Sequence, residues 1–246
     1  MPTVTDNAIC IRRWDYSETS QTVSLFLRDH GLVRGIVKGA KRAGGSFDGG
    51  VDVLTHGQVV MILTPSRELA TVTAWHVLEA FRPLRERLAA NRCGLYMVDL
   101  VHHMLTEHDA HPLLFDALRE SLAAMGDTPR VGRTLLVWVW ALLCETGYQP
   151  RLDRDAETGS ALPAEAPTLA FSSAAGGVVA DTGEADRWRV RRETIDLLRE
   201  VAAGRPPADI EPRRLERANR LLAAYIRALL GREPPAMTWL YPDLAT

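Results

Sequence analysis

The periodicity of apolar residues changes once along this chain, near Leu78. Before this point, apolar and polar residues alternate, and β-branched residues and glycine are frequent, a pattern typical of half-buried strands. After this point, apolar residues recur every three or four positions, as on one face of an α-helix. This change predicts an α+β fold, with a β domain at residues 1–78 followed by a helical domain at residues 79–246.

The first part contains five predicted strands. Asp29-His30-Gly31 has the composition of a tight turn, in which Gly31 can adopt positive φ. Thr64-Pro65-Ser66-Arg67 separates the last two strands. The predicted strands are Asn7–Trp14, Thr19–Leu27, Leu32–Lys38, Val51–Leu63 and Glu68–His76. Five short strands in a segment of this length predict a small closed barrel of the OB type.

The second part contains a series of predicted helices. Thr134–Glu145 (TLLVWVWALLCE) is apolar on nearly all sides, as expected of a helix in the middle of a bundle. Residues 150–184 are rich in Gly, Ala, Ser and Pro, which predicts an irregular excursion with short strands near Leu169–Phe171 and Val178–Val179. The proline-rich segment from Glu233 to Pro242 is predicted not to be helical. The other predicted helices are 88–105, 113–125, 191–203 and 212–230.

Charge and cysteine content restrict the class of protein. The formal net charge is −2, so any affinity for nucleic acid must come from local patches rather than from the overall charge. The three cysteines, Cys10, Cys93 and Cys144, are widely spaced, which indicates neither a disulfide framework nor a metal site and favours a reducing cytoplasm. The most apolar run is about half the roughly 20 residues that span a bilayer. No basic-then-apolar leader opens the chain, so we expect neither membrane insertion nor secretion.

The basic residues single out one segment. Of the 29 basic residues only two are lysines, Lys38 and Lys41, and both lie close to Arg34 and Arg42 in a glycine-rich stretch. An ammonium group is a point charge, which suits contact with a phosphate backbone of any sequence. This segment is therefore a candidate contact for nucleic acid.

Aromatic residues accompany these cations. OB folds bind single strands partly by stacking bases on aromatic side chains, and Trp14, Tyr16 and Phe47 lie in or beside the predicted loops. The alternative is a solvated basic loop with aromatic side chains that plug the ends of the barrel. The predicted DNA-binding residues are Arg34, Lys38, Lys41, Arg42, Trp14, Tyr16 and Arg67.

Arginines recur on one face of the last predicted helix. Spacings of four, three and seven bring them to that face, where they can receive an acidic peptide tail or a phosphate backbone. The alternative is a solvated face paired with glutamates such as Glu216. A similar basic cluster surrounds Trp188. The predicted partner-binding residues are Arg213, Arg217, Arg220 and Arg227, and the second cluster is Arg187, Arg189, Arg191 and Arg192.

Catalytic motifs are missing from the sequence. It contains no Gly-x-Ser-x-Gly, no phosphate-binding Gly-x-x-x-x-Gly-Lys-Ser/Thr and no His-Glu-x-x-His. Asp99 and His103 have helical i, i+4 spacing that could hold a metal ion, whereas His108 and His111 fall in a polar break between helices. We therefore expect a protein that is not an enzyme and that has no metal site.

Two motifs resemble the RecO family of bacterial DNA-repair proteins. The first is DYSET at residues 15–19, followed by FLRDHGL at 26–32 and VKGAKR at 37–42. The second is LCETGYQPRL at 143–152, which is similar to the Gly-Tyr-x-Pro-x-Leu run that follows the buried helix of the family. Both occur in the family's order.

The resemblance implies an N-terminal OB fold, a helical domain and a function without catalysis. Members of the family bind single- and double-stranded DNA, anneal complementary strands and help to load the recombinase onto DNA. The implied partners are the ring-forming RecR protein and the acidic C-terminal tail of the single-stranded-DNA-binding protein.

The chain departs from the family at one site. Many relatives carry two cysteine pairs that form a structural zinc site, one after the Gly-Tyr-x-Pro-x-Leu run and one after a Gly-Gly. Here the corresponding stretches are DRDAETG at residues 153–159 and VVADT at 178–182. Structural zinc needs four Cys or His ligands, so we expect no zinc and an excursion held by packing alone.

Three functional hypotheses follow. The first is a DNA-binding recombination mediator, whose barrel binds single strands. The second is a protein-interaction adaptor with little DNA affinity of its own, which is consistent with the net charge of −2. The third is a metal-dependent hydrolase built on the histidines.

Overall fold

The computed structural model describes residues 3–41, 47, 50–64, 68–126 and 128–244. The chain divides into two compact units. The first comprises Met1–Thr128 with Pro234–Ala236, and the second comprises Pro129–Glu233 with Met237–Thr246. None of the helices in the described part of the chain is long and apolar enough to cross a membrane.

The first unit begins with a closed five-stranded barrel in the order β1-β2-β3-β5-β4. Neighbouring strands are antiparallel, except that β3 and β5 pair in parallel. The predicted OB-type barrel and the α+β class are thereby confirmed. The strands are β1 (Thr3–Asp15), β2 (Gln21–Leu27), β3 (Gly31–Val37), β4 (His56–Ile62) and β5 (Ala70–Glu79).

Alternating apolar residues fill the barrel. Val23, Leu25 and Leu27 of β2 are fully buried, and Val33 and Val37 of β3 pack with them. Each fully buried side chain of this size stabilises the fold by about 1.5–3 kcal/mol. Arg34 and Ile36, which alternate with these residues on β3, point outward. These outward positions belong to the candidate site.

Three helices complete the first unit. Phe26 of β2 contacts Phe115 of helix α3 (Pro112–Ala124) in an edge-to-face arrangement, with ring centroids 5.6 Å apart. Arg28 donates to Asp116 on the same helix at 2.8 Å. Strand β2 thus packs against α3. The helices are α1 (Arg82–Glu86), α2 (Leu88–Met104) and α3 (Pro112–Ala124).

The second unit contains a small sheet and the remaining helices. In this unit, the ring of Phe171 stacks on Trp188, with centroids 5.8 Å apart, and contacts Tyr225 edge-to-face, with centroids 5.2 Å apart. The sheet has the order β7-β6-β8. Its strands are β6 (Thr168–Ser172), β7 (Gly177–Val179) and β8 (Trp188–Arg191). The helices are α4 (Thr128–Glu145), α5 (Arg192–Ala202), α6 (Pro212–Leu230) and α7 (Met237–Leu240), and a 3-10 turn spans Pro242–Leu244.

The prediction that packing alone holds the excursion at residues 150–184 is wrong. The buried carboxylate of Asp155 accepts hydrogen bonds from the backbone N–H groups of Glu157, Thr158 and Ala180, at 3.1, 2.9 and 2.9 Å. Asp155 lies in the first stretch that corresponds to a cysteine pair of relatives, and Ala180 lies in the second. A buried carboxylate therefore links these two stretches.

The prediction for the proline-rich segment is also wrong in part. Met237–Leu240 forms one helical turn. Pro234 and Pro235 precede this turn and Pro242 follows it, and proline outside a helix leaves the helical hydrogen bonds intact. The predicted domain boundary at residue 78 stays a prediction.

Candidate nucleic-acid interface

Outward residues of four adjacent strands form a row across the barrel. Trp14 of β1 lies opposite Thr22 of β2, Thr22 lies opposite Ile36 of β3, and Ile36 lies opposite Thr71 of β5. Residues directly opposite each other project to the same side of a sheet. The row therefore presents an exposed indole beside small and aliphatic side chains.

Two of the predicted cations flank this row. Arg34 lies two residues before Ile36 in β3, so the two side chains share a face. Lys38 is the next residue in this series and is exposed directly after the strand ends. Strand pairing thus places Trp14 and Arg34 on one face of the barrel, and Lys38 follows directly after β3.

A shallow groove of about 330 Å³ opens on this face. It is lined by residues of β1, β2 and β3 and of the segment before β5. Trp14, at the edge of this groove, is 44% exposed. The indole can therefore be reached by a planar base while Arg34 contacts the same ligand. The lining residues are Trp14, Thr22, Val23, Arg34, Glu68 and Leu69.

The turn between β1 and β2 contains Tyr16 and is contacted by Lys41. Tyr16 lies in the turn after β1, where its N–H donates to Ser20 O at 3.0 Å, and its side chain is 63% exposed. The N–H of Lys41 donates to Thr19 O of the same turn at 3.2 Å. The segment after β3 therefore packs beside the turn between β1 and β2.

Carboxylates neutralise part of the positive charge. Arg34 pairs with Glu68 and with Glu107, each at 2.7 Å, and the hydrogen bond that Arg34 donates to Glu68 raises the pKa of Arg34. Lys41 Nζ lies 2.8 Å from Asp15, and this hydrogen bond lowers the pKa of Asp15. Lys38 forms no ion pair within the described ranges of the chain.

Three predicted residues are not in this arrangement. Arg42 and Arg67 lie outside the described residues. Phe47 is partly buried and packs against the barrel core, which favours the alternative of an aromatic plug, and its role in base stacking stays a prediction. Thr22, Ile36, Glu68 and Glu107 were missed. The period of two from Arg34 to Lys38 could have indicated Ile36, but the carboxylates come from distant segments.

The predicted arginine row of α6 is divided. Arg217, Arg220 and Arg227 line a groove in the second unit together with Trp188, Arg189 and Arg191 of β8. Arg213, one turn before Arg217, does not line it. The groove thus joins three members of the predicted row to two members of the predicted second cluster.

Asp99 and His103, whose spacing could hold a metal ion, have a different role. His103 Nε2 lies 3.5 Å from Asp99 Oδ1, but Arg12 donates to the same oxygen at 2.5 Å. The other carboxylate oxygen accepts the N–H of Ala236 at 3.0 Å. The guanidinium therefore occupies the position of a cation, and the described residues contain no group suited to a metal ion.

The fold and the site define an α+β protein with an OB-type barrel that carries an exposed aromatic and basic face. Two family models match the chain: Recombination protein O N terminal at residues 1–81 and Recombination protein O C terminal at residues 85–237. Together they cover most of the chain, so the chain belongs to the RecO family. The resemblance found in the sequence is confirmed.

Relatives match over nearly the whole length. DNA repair protein RecO of Rhodopirellula baltica is 28% identical over 243 residues, which cover 96% of this chain and 89% of the relative. The protein of the same name from Myxococcus xanthus is 30% identical and covers 92% of each chain. That of a Roseiflexus species is 30% identical over 95% of this chain and 83% of its own length.

Proposed function

We propose that this chain is a DNA-repair protein that binds single-stranded DNA on the outer face of its barrel and acts as a recombination mediator. The observation that supports the proposal is the groove that Trp14 and Arg34 line together, with the exposed Lys38 directly after β3. Base stacking contributes about 1–3 kcal/mol per base without regard to sequence, and the cations contact phosphates. Such binding needs no covalent chemistry, so we propose that the protein is not an enzyme and needs no cofactor.

The same binding mode accounts for annealing. Two complementary strands held on one protein have a raised local concentration, and the cations screen the repulsion between their phosphates. We propose that the protein anneals single strands, also contacts double-stranded DNA and assists recombinase loading. Family membership supports RecR and the acidic tail of the single-stranded-DNA-binding protein as partners, and a site of action at the nucleoid in the cytoplasm.

Fluorescence anisotropy of a labelled thymidine 20-mer tests the DNA site. Trp14→Ala should weaken binding by about fivefold to a hundredfold, because one stack of about 1–3 kcal/mol is lost. Lys38→Ala should weaken it by about tenfold or less, because one phosphate contact is lost. Trp239→Ala and Arg82→Ala are matched controls, since Trp239 is 50% exposed and Arg82 carries an 86% exposed side chain. The controls should bind like the unaltered chain. If Trp14→Ala and Lys38→Ala also bind like the unaltered chain, the barrel face is not the DNA site.

The adaptor hypothesis has one observation in its favour. Arg34 and Lys41 are already paired with carboxylates, which lowers their attraction for phosphate. An adaptor would bind RecR or the acidic tail peptide tightly and show no DNA binding at physiological salt. Parallel titrations of the unaltered chain with DNA and with these partners separate the two functions.

A further inference from the structure

The groove beside Trp14 contains a carboxylate. Glu68 lines this groove together with Trp14 and Arg34. It lies two residues before Ala70, which pairs with Gly35 of β3, so the chain just before β5 brings Glu68 beside Arg34. A negative charge at this position repels the phosphates of DNA. Glu68 therefore does not help to bind the DNA backbone, and its presence in the groove calls for a different contact.

The carboxylate of Glu68 is held in place through one of its two oxygens. Oε1 accepts a hydrogen bond from Arg34 at 2.7 Å, and the guanidinium of Arg34 is in turn paired with Glu107, also at 2.7 Å. Oε2 accepts no hydrogen bond from the residues that the structure describes. The side chain of Glu68 is 73% exposed, so a ligand in the groove can reach this second oxygen.

Bases differ in what they offer to such an oxygen. An ionised carboxylate only accepts hydrogen bonds, and in DNA recognition it accepts from the N4 amino group of cytosine. Thymine and uracil carry a carbonyl oxygen at the same position, and two acceptors repel each other. In a single strand these base edges are unpaired and can be contacted by protein. A carboxylate beside a stacked base therefore favours cytosine over thymine.

We propose that Glu68 gives the groove a preference among bases. A cytosine stacked on Trp14 donates from its N4 amino group to Glu68, whereas a thymine at the same place brings a carbonyl oxygen close to the carboxylate. Stacking by itself tolerates any base, so this preference is added to a sequence-independent contact. The inference rests on the proposed function, since it takes the groove as the site of single-stranded DNA, and it deepens that function by naming a residue that selects the base.

The probes are fluorescein-labelled deoxycytidine and deoxyuridine 20-mers, whose bases differ only at ring positions 3 and 4. Anisotropy titrations of the full chain at pH 8 and one salt concentration give the ratio of the two dissociation constants. The unaltered chain should bind the deoxycytidine 20-mer about threefold to tenfold more tightly, the contribution of one net hydrogen bond. Glu68→Ala should lower the ratio by the same factor, because the acceptor is lost.

Glu107→Ala is the matched control. Glu107 pairs with Arg34 at the same distance as Glu68 but does not line the groove. Each substitution removes one carboxylate from Arg34 and should strengthen the binding of both probes, because the guanidinium becomes more available to phosphate. Only Glu68→Ala should change the ratio between the probes. Thermal unfolding establishes that each variant is folded.

Two outcomes would overturn the inference. The first is the same ratio in Glu68→Ala as in the unaltered chain, and the second is an equal change of the ratio in Glu107→Ala, which would assign the effect to Arg34. Trp14→Ala separates this failure from failure of the proposed function, because it should weaken the binding of both probes whatever their ratio. If Trp14→Ala binds both probes like the unaltered chain, or if the unaltered chain binds neither probe, both proposals are wrong.

Discussion

At the scale of single residues, Asp155 takes on a role for which a sequence pattern gives no signal. Its hydrogen bonds to backbone N–H groups, with that of Thr158 the largest contribution, hold the pKa of its carboxyl group below the ordinary value. The charged form is therefore stabilised by folding. Such a carboxylate can hold two stretches of chain together because each oxygen accepts from a different stretch.

We expect Asp155→Asn to lower the free energy of unfolding at pH 7 by about 1–3 kcal/mol, since charged acceptors are lost from buried N–H groups. A lowered folded pKa gives stability that is fully present above the unfolded value of about 3.9 and is lost as pH falls through the folded pKa. The difference in Tm between the two proteins should therefore shrink from pH 7 to pH 3. Asp153→Asn is the control, because its side chain is 92% exposed. A difference that is independent of pH would contradict this role.

Replacing Glu68 and Glu107 should increase the affinity for single-stranded DNA. Both hold Arg34 in the groove beside Trp14. We expect the double variant Glu68→Gln with Glu107→Gln to bind the thymidine 20-mer severalfold more tightly at low salt, because the guanidinium becomes available to phosphate. Glu120→Gln is the control, since Glu120 is 72% exposed and also pairs with an arginine. Equal affinity in the double variant would show that Arg34 does not contact DNA.

At the scale of elements, the turn between β2 and β3 is restricted in two ways. Gly31 has φ of +68°, and a Cβ atom there would collide with the backbone of Asp109. Gly159 has φ of +72°, but nothing lies within 4 Å of a Cβ atom there. Comparing substitutions at Gly31 and Gly159 therefore separates two effects on stability, that of the left-handed backbone conformation and that of close packing.

Gly159→Ala should lower the free energy of unfolding by about 1–2 kcal/mol, the cost of a left-handed conformation with a side chain. Gly31→Ala should lower it by more, because the backbone of Asp109 must also move. Urea denaturation of both variants measures the difference. Similar losses in the two variants would mean that the contact with Asp109 contributes nothing.

At the scale of the whole molecule, the proposed DNA site has a charge opposite to the net charge of the chain. The net charge is −2 and the pI about 6.4, so the proposed attraction to DNA must come from a few local cations. For single strands, log K falls with log salt by about 0.7 for each phosphate neutralised. With Arg34, Lys38 and Lys41 as contacts, we expect a slope of about −2. Lys38→Ala should make this slope shallower by about 0.7, and a slope near zero would contradict a mechanism based on phosphate contacts.

Local signals explain why several elements could be predicted. Helix α6 spans Pro212–Leu230 as predicted, with Glu211 accepting from the N–H groups of Arg213 and Arg214 at its start and Gly231 at φ of +62° at its end. Such capping signals lie within a few residues of the helix they bound. The strand β8 was not predicted, because four residues carry little periodicity and it is fixed by pairing with β6.

The sequence by itself determined the change from strands to helices and which stretches form the strands of the barrel, because these depend on spacings of two to four residues. The closure of the barrel and the outward position of Trp14, which follows a bulge between Cys10 and Arg12, were decided by the pairing of strands. Only the tertiary structure decided which cations are neutralised, that Phe47 packs against the core, that Asp155 links two stretches, and that β8 and α6 share a groove. Each of these depends on contacts between segments distant in the chain. Such contacts are set by how elements pack in three dimensions, and local periodicity carries no information about them.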